Sequence, residues 1–156
     1  MKTNLISKSE SADILRSVSD KWKIELSKNK NLKVHYLDND AQIIIGNGFK
    51  ILKIMNEYFP FLSETSLLEK FPNVMVDMGD VKFMCNGANV MRPGIRNYTE
   101  FKKNEIVCVI EESKHKFLAV GIAILDSSEL DGMSKGEVIK NIHYISDKYW
   151  EAGKII

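Results

Sequence analysis

The stretch Val74 to Gly94, VMVDMGDVKFMCNGANVMRPG, constrains this chain more than any other. It holds a strand-like run, a short amphipathic turn of helix, an Asn-Gly-Ala break and a second strand ending in Pro-Gly. Gly79, Gly87 and Gly94 each fall where an element begins or ends. Glycine at such points admits positive φ and lets another backbone approach closely. Further short strands are read at Val74–Val76, Asn89–Met91, Ile106–Glu111, Phe117–Leu125 and Glu137–Ile145, with a short helix at Asp80–Cys85. Short strands with turn signals at this spacing predict a small closed or nearly closed barrel.

The chain upstream reads differently. Ser7 to Lys28 carries Ile14, Leu15, Val18, Trp22 and Leu26 at helical spacing, with Ser7 and Glu10 placed as a capping box. Lys21, Lys23 and Lys28 lie in its C-terminal half, where they suit the helix dipole and read as a solvated face. Leu32–Leu37 and Gln42–Gly46 are strand-like across an Asp38-Asn39-Asp40 turn; Gly46-Asn47-Gly48 then leads into Phe49–Met55, where Phe49, Leu52 and Met55 would suit a helix while alternation and the two short hairpins favour a third strand. Pro60 interrupts the aromatic run Tyr58-Phe59-Phe61. A short helix at Glu64–Lys70 follows Ser63 and is closed by Phe71-Pro72. The fold class is therefore α+β: a small α/β domain over residues 1–72, then a β-barrel domain over 73–156.

Charge and cysteines bound the function. Residues 1–72 hold 11 basic and 9 acidic side chains, and the remainder 11 and 12. A broad electrostatic field for nucleic acid needs a much larger excess, so any nucleic-acid binding works through a local patch. Cys85 and Cys108 form neither a disulfide framework nor a Cys-x-x-Cys metal pair, so no metal and a reduced, cytoplasmic setting are expected. No apolar run approaches the roughly 20 residues of a membrane span, and Met1–Leu15, which carries Glu10 and Asp13 and no continuous apolar core, is not a secretory signal. His35, His115 and His143 are scattered, and no nucleophile elbow, phosphate loop or His-Glu-x-x-His occurs. Asp77 fits a turn or cap ahead of Gly79. An enzyme is not expected, and no cofactor is implied.

Four ordered blocks carry a resemblance: the Val-Asp-x-Gly start, NGANVMRPGI, AVGIAILDSSEL and KGEVIKNIHYISDKYW. Together they resemble the PUA domain of the malignant-T-cell-amplified-sequence family and its archaeal relatives. SLLEKFP and the layout of the N-terminal half are similar to the smaller domain that precedes it. The resemblance implies a small RNA-binding protein of translation, with tRNA or ribosomal RNA as partner. The eukaryotic members pair with density-regulated protein on the small ribosomal subunit, so the resemblance implies a translation-factor partner as well. It places RNA along Lys82, Asn86, Gly87, Ala88, Asn89, Met91, Arg92, Pro93, Gly94, Ile95 and Arg96, with His143 and Tyr144 behind them.

Residue chemistry fits that line. Gly87 reads as a left-handed cap that exposes main-chain N–H groups to a phosphate. Arg92 and Arg96 flank the Pro-Gly turn as exposed cations suited to forked phosphate contacts. Asn86 and Asn89 can read base edges or 2′-hydroxyls. On residue types alone, the arginines read equally well as solvated charges and Asn86-Gly87 as a helix stop. Adjacent on a strand, His143 and Tyr144 point to opposite faces, and the inward one is packed. Trp150 reads as a hydrophobe closing the barrel. The near-neutral charge supports an alternative: a protein-interaction module with incidental RNA contact.

Overall fold

The computed structural model describes residues 1–38 and 40–156. Asn39, at the centre of the expected Asp38-Asn39-Asp40 turn, lies outside the described residues. Helix α1 spans Lys8–Trp22, and the Ser7 Oγ accepts the Glu10 N–H at 3.0 Å. Val18 and Trp22 are buried, with Ile14 and Leu15 half-buried against the same core. The helix stops well short of Lys28 because Lys23 turns left-handed, at φ 56°. Tertiary bonds outweigh continued helix here: Ser27 Oγ donates to the Asn47 carbonyl, and Asn29 Oδ1 accepts the Asn47 N–H.

Strands β1 (Lys2–Leu5), β2 (Lys33–Tyr36), β3 (Ala41–Gly46), β4 (Phe49–Ile54) and β5 (Glu57–Pro60) form an antiparallel meander in chain order. The Phe49 run is a strand, as its hairpin context predicts. Two strands of this sheet escape the pattern reading. All four residues of β1 are exposed, so no alternation marks it. Pro60 sits in β5, an edge strand where its missing N–H costs no ladder bond. Helix α2 is the single turn Thr65–Leu68, with Glu64 rather than Ser63 at its start and no side-chain cap.

The second sheet contains β6 (Asn73–Val76), β7 (Val90–Met91), β8 (Ile95–Tyr98), β9 (Ile106–Glu111), β10 (Phe117–Ala123) and β11 (Glu137–Tyr144). Its order is β7-β11-β10-β9-β6-β8, with only β6 and β9 parallel. The two edge strands, β7 and β8, are joined by nothing longer than the turn Arg92–Gly94. The sheet must therefore curl until its edges nearly meet, giving a PUA-like barrel. Helix α3 (Val81–Met84) sits between β6 and β7, and α4 (Lys148–Gly153) follows β11.

β9 is buried on both faces, and its alternation divides two cores. Val107 and Val109 point into the barrel with Val74, Val76, Phe101 and Ile139. Ile106 and Cys108 point outward into the core of α1 and the first sheet. Burial pushes the Cys108 thiol up to about 12, so it stays protonated. The chain end joins the same core. Trp150, expected to close the barrel, lies half-buried on α4 against the first sheet's cluster.

Candidate nucleic-acid interface

The turn before α3 is built on Asp77, whose Oδ1 accepts the Asp80 N–H at 3.1 Å. Helix α3 ends in a Schellman arrangement: Gly87 N–H donates to the Met84 carbonyl at 3.2 Å and Ala88 N–H to Phe83 at 3.0 Å. Gly87 has φ 90°, the left-handed geometry its position demands. A Cβ there would come within 3.0 Å of the Tyr144 ring, so the loop main chain rests on that ring. Asn141 on β11 fixes the loop by donating to the Met84 and Ala88 carbonyls at 3.1 and 3.0 Å. Ser146 Oγ donates to the Cys85 carbonyl at 3.0 Å.

This geometry corrects the chemistry read from the sequence. The N–H groups of Asn86, Gly87 and Ala88 are satisfied inside the cap and do not face a phosphate. The Asn89 side chain is engaged between strands: its Oδ1 accepts the Asn141 N–H, and its Nδ2 donates to Glu137. Arg92 is half-buried, donating through Nε to the Leu130 carbonyl at 2.9 Å and through Nη1 to Ile95 at 3.3 Å. Arg96 is exposed but paired with Asp77 at 3.2 Å and Glu112 at 3.8 Å. Ile95 and Gly94 are buried, and the Asp80 carboxylate lies against the Gly94 Cα, where a Cβ would collide with it. Burial, then the neighbouring Asp77, push the Asp80 carboxyl up, with Arg96 opposing.

His143 is fully buried and presents no surface to solvent. Its Nε2 accepts the Leu62 N–H at 3.1 Å, so Nδ1 carries the proton shared with Asp147 at 2.9 Å. It clips the barrel's last strand to the segment after β5. Tyr144 is half-buried beneath the Gly87 loop.

The side chains that do face solvent on this edge are Lys82, Asn86, Ala88, Met91, Pro93 and the paired Arg96, with two outside the expected set, Met78 and Phe83. Phe83 is 51% exposed, and Lys82 Nζ lies 5.3 Å from its ring centroid. A four-residue helix has too few positions for its pattern to show which way an aromatic points. Only the structure turns it outward. The edge gathers Lys82, Arg92 and Arg96 but also Asp77, Asp80, Glu112, Asp131 and Glu137. Acids outnumber cations, so phosphate attraction here is weak. Among the described residues no group of three or more His, Cys, Asp or Glu gathers as a metal would require, and no helix is long and apolar enough to cross a membrane.

A near-closed barrel whose first helix ends in a glycine cap against its last strand defines a PUA domain, and the PUA domain family model matches residues 72–145. The crystal structure of a hypothetical protein from Pyrococcus horikoshii matches the whole arrangement with TM-score 0.81 at 29% identity, over 97% of this chain and 99% of that one. Malignant T-cell-amplified sequence 2 of Mus musculus is 31% identical over 134 residues, 80% of this chain and 73% of its own. The chain belongs to the malignant T-cell-amplified sequence family. An uncharacterized protein of Methanocaldococcus jannaschii is 36% identical over 122 residues, 71% of this chain and 75% of its own. Translation machinery-associated protein 20 of Saccharomyces cerevisiae is 29% identical over 141 residues, covering 85% and 74%.

Proposed function

We propose that this chain is a non-enzymatic RNA-binding protein of the translation machinery, acting in the cytoplasm on tRNA or ribosomal RNA. Residues 73–156 are the RNA-binding unit in this reading, and residues 1–72 the smaller unit beside it. The observation that carries the proposal is the exposed Phe83 next to Lys82, on a helix held rigid by the Gly87 cap, in a chain of this family. An exposed ring offers a stacking face to an unpaired base, worth about 1–3 kcal/mol per base. Lys82, Asn86, Ala88, Met91, Pro93 and Arg96 border it. Asn89, Arg92, Gly94, His143 and Tyr144 serve as its support.

Filter-binding titration of tRNA and of ribosomal subunits, with an RNA duplex as control, tests the reading. Phe83→Ala is expected to weaken tRNA binding about tenfold while leaving the melting temperature unchanged. Failure of the native chain to bind any of these RNAs at low salt sinks it. A second reading has its own support: Met78, Phe83 and Met91 are 48%, 51% and 45% exposed on an edge where acids exceed cations. That composition also suits docking of a translation-factor protein, and Phe83→Ala would then abolish a protein complex without touching RNA affinity.

A further inference from the structure

The excess positive charge that the Gly87 edge lacks is gathered elsewhere. A groove of about 240 Å³ opens between the two sheets at the end of α1, where Lys21, Lys23, Lys70 and Lys103 converge. It shares Lys23 and Lys70 with a shallower depression that adds Lys28. The lining of the two holds these five lysines against two acids, Glu25 and Glu105. Glu105 is turned onto its own loop, where its Oε1 accepts the Lys102 N–H at 2.7 Å. Among the described residues none of the five lysines forms an ion pair.

The lysines stand on rigid supports drawn from three separate parts of the chain. Lys21 and Lys23 bracket Trp22, which packs edge-on against Phe71 at 5.3 Å and donates to the Tyr58 carbonyl at 3.2 Å. Lys70 follows α2. Lys103 sits on a turn pinned by its own N–H to Asp126 at 2.7 Å and by the Asn104 N–H to Ala123 at 2.8 Å. The helix dipole accounts for lysines at the end of α1. It does not account for Lys103, which is on no helix, or for the convergence of all four on one groove.

We propose that this groove is a second contact surface for RNA, gripping the sugar–phosphate backbone. The proposal rests on the RNA-binding reading above. It also revises the view of Lys21 and Lys23 as an idle solvated face. Trp22 and Phe71 are 8% and 7% exposed, so the floor offers little apolar surface to a peptide. What the groove presents is flexible point charges, which suit successive phosphates without reading bases. An RNA held at both places would draw its affinity from the groove and its discrimination from the Phe83 edge.

The test is fluorescence anisotropy of labelled tRNA against the full chain at 50, 100 and 200 mM NaCl. Lys70→Ala with Lys103→Ala should weaken binding on the order of tenfold at 100 mM and flatten the log–log salt slope by about 1.4 to 1.8, the loss of two phosphate contacts. Lys70→Arg with Lys103→Arg should keep both slope and affinity. If the alanine pair leaves slope and affinity unchanged while Phe83→Ala weakens binding, the groove plays no part and the RNA reading stands. If the native chain binds no tRNA even at 50 mM, both fall. Polyglutamate binding that depends on these lysines, with tRNA affinity untouched by the alanine pair, would make the groove a protein-docking surface and overturn the proposal.

Discussion

Replacing His143 tests whether that residue holds the fold together or meets RNA. His143→Ala removes the acceptor of the Leu62 N–H, a group on a residue only 2% exposed. An orphaned buried donor costs about 1–3 kcal/mol. The ring also fills space beside Phe61, with centroids 4.9 Å apart, and Tyr149 at 6.0 Å. Truncating a buried ring adds a void of comparable cost, so about 4 kcal/mol is expected in all. For a chain of this size that lowers the melting temperature by about 8–16 °C. Asp147 would still accept the Tyr144 and Trp150 N–H groups, so α4 should survive. His143→Gln retains an acceptor and should cost about half as much. Urea unfolding followed by the fluorescence of Trp22 and Trp150, both packed in the shared core, measures each variant. RNA affinity per folded molecule should stay within about twofold of the native value. A loss of stability below about 1 kcal/mol, or lost RNA binding in a variant as stable as the native chain, would refute the clip.

Gly87→Val should destabilise by about 2 kcal/mol or more, since valine tolerates φ 90° poorly and its Cβ meets Tyr144; an unchanged urea midpoint would contradict it. Arg92→Ala should cost about 1–2 kcal/mol, because the side chain joins the Leu130 and Ile95 carbonyls, whereas the exposed Arg96→Ala should stay within about 0.5 kcal/mol. Equal effects in parallel melts would show that Arg92 is not structural. The N–H of Lys114, with Ser113 and Lys116, holds the Glu111 carboxyl below its usual 4.5. A carboxyl lowered by folding contributes stability above pH 4.5 that is lost as pH falls through its folded value. Glu111→Gln should therefore flatten the acid limb of the melting curve below pH 4.5, and an unaltered limb would count against the assignment.

Most of the barrel was legible because its strands are announced by glycine turns and by valine-rich runs whose burial follows backbone alternation; β8, directly after the Pro93-Gly94 turn, was not. What escaped had no such mark. β1 is exposed throughout, and β5 contains a proline that only its edge position excuses. The end of α1 is decided by Asn47, about twenty residues away in the chain, which no local periodicity reports. The candidate site was legible as a stretch but not as chemistry. Whether Arg92 faces solvent or the Leu130 carbonyl depends on a turn 38 residues downstream. Phe83 drew no reading at all, because an apolar residue on a four-residue helix carries no local sign of which way it points. The lysine groove draws on α1, the α2 exit and the β8–β9 turn, and becomes one surface only when the two sheets dock.

Photo-crosslinking tests most directly whether RNA lies on the edge formed by α3 and the Gly87 loop. The native chain would be crosslinked to tRNA carrying 4-thiouridine and the modified peptides mapped by mass spectrometry. Crosslinks to Phe83 and its neighbours between Lys82 and Met91 are expected. Crosslinks confined to the first sheet or the far side of the barrel, with none in that stretch, would contradict it.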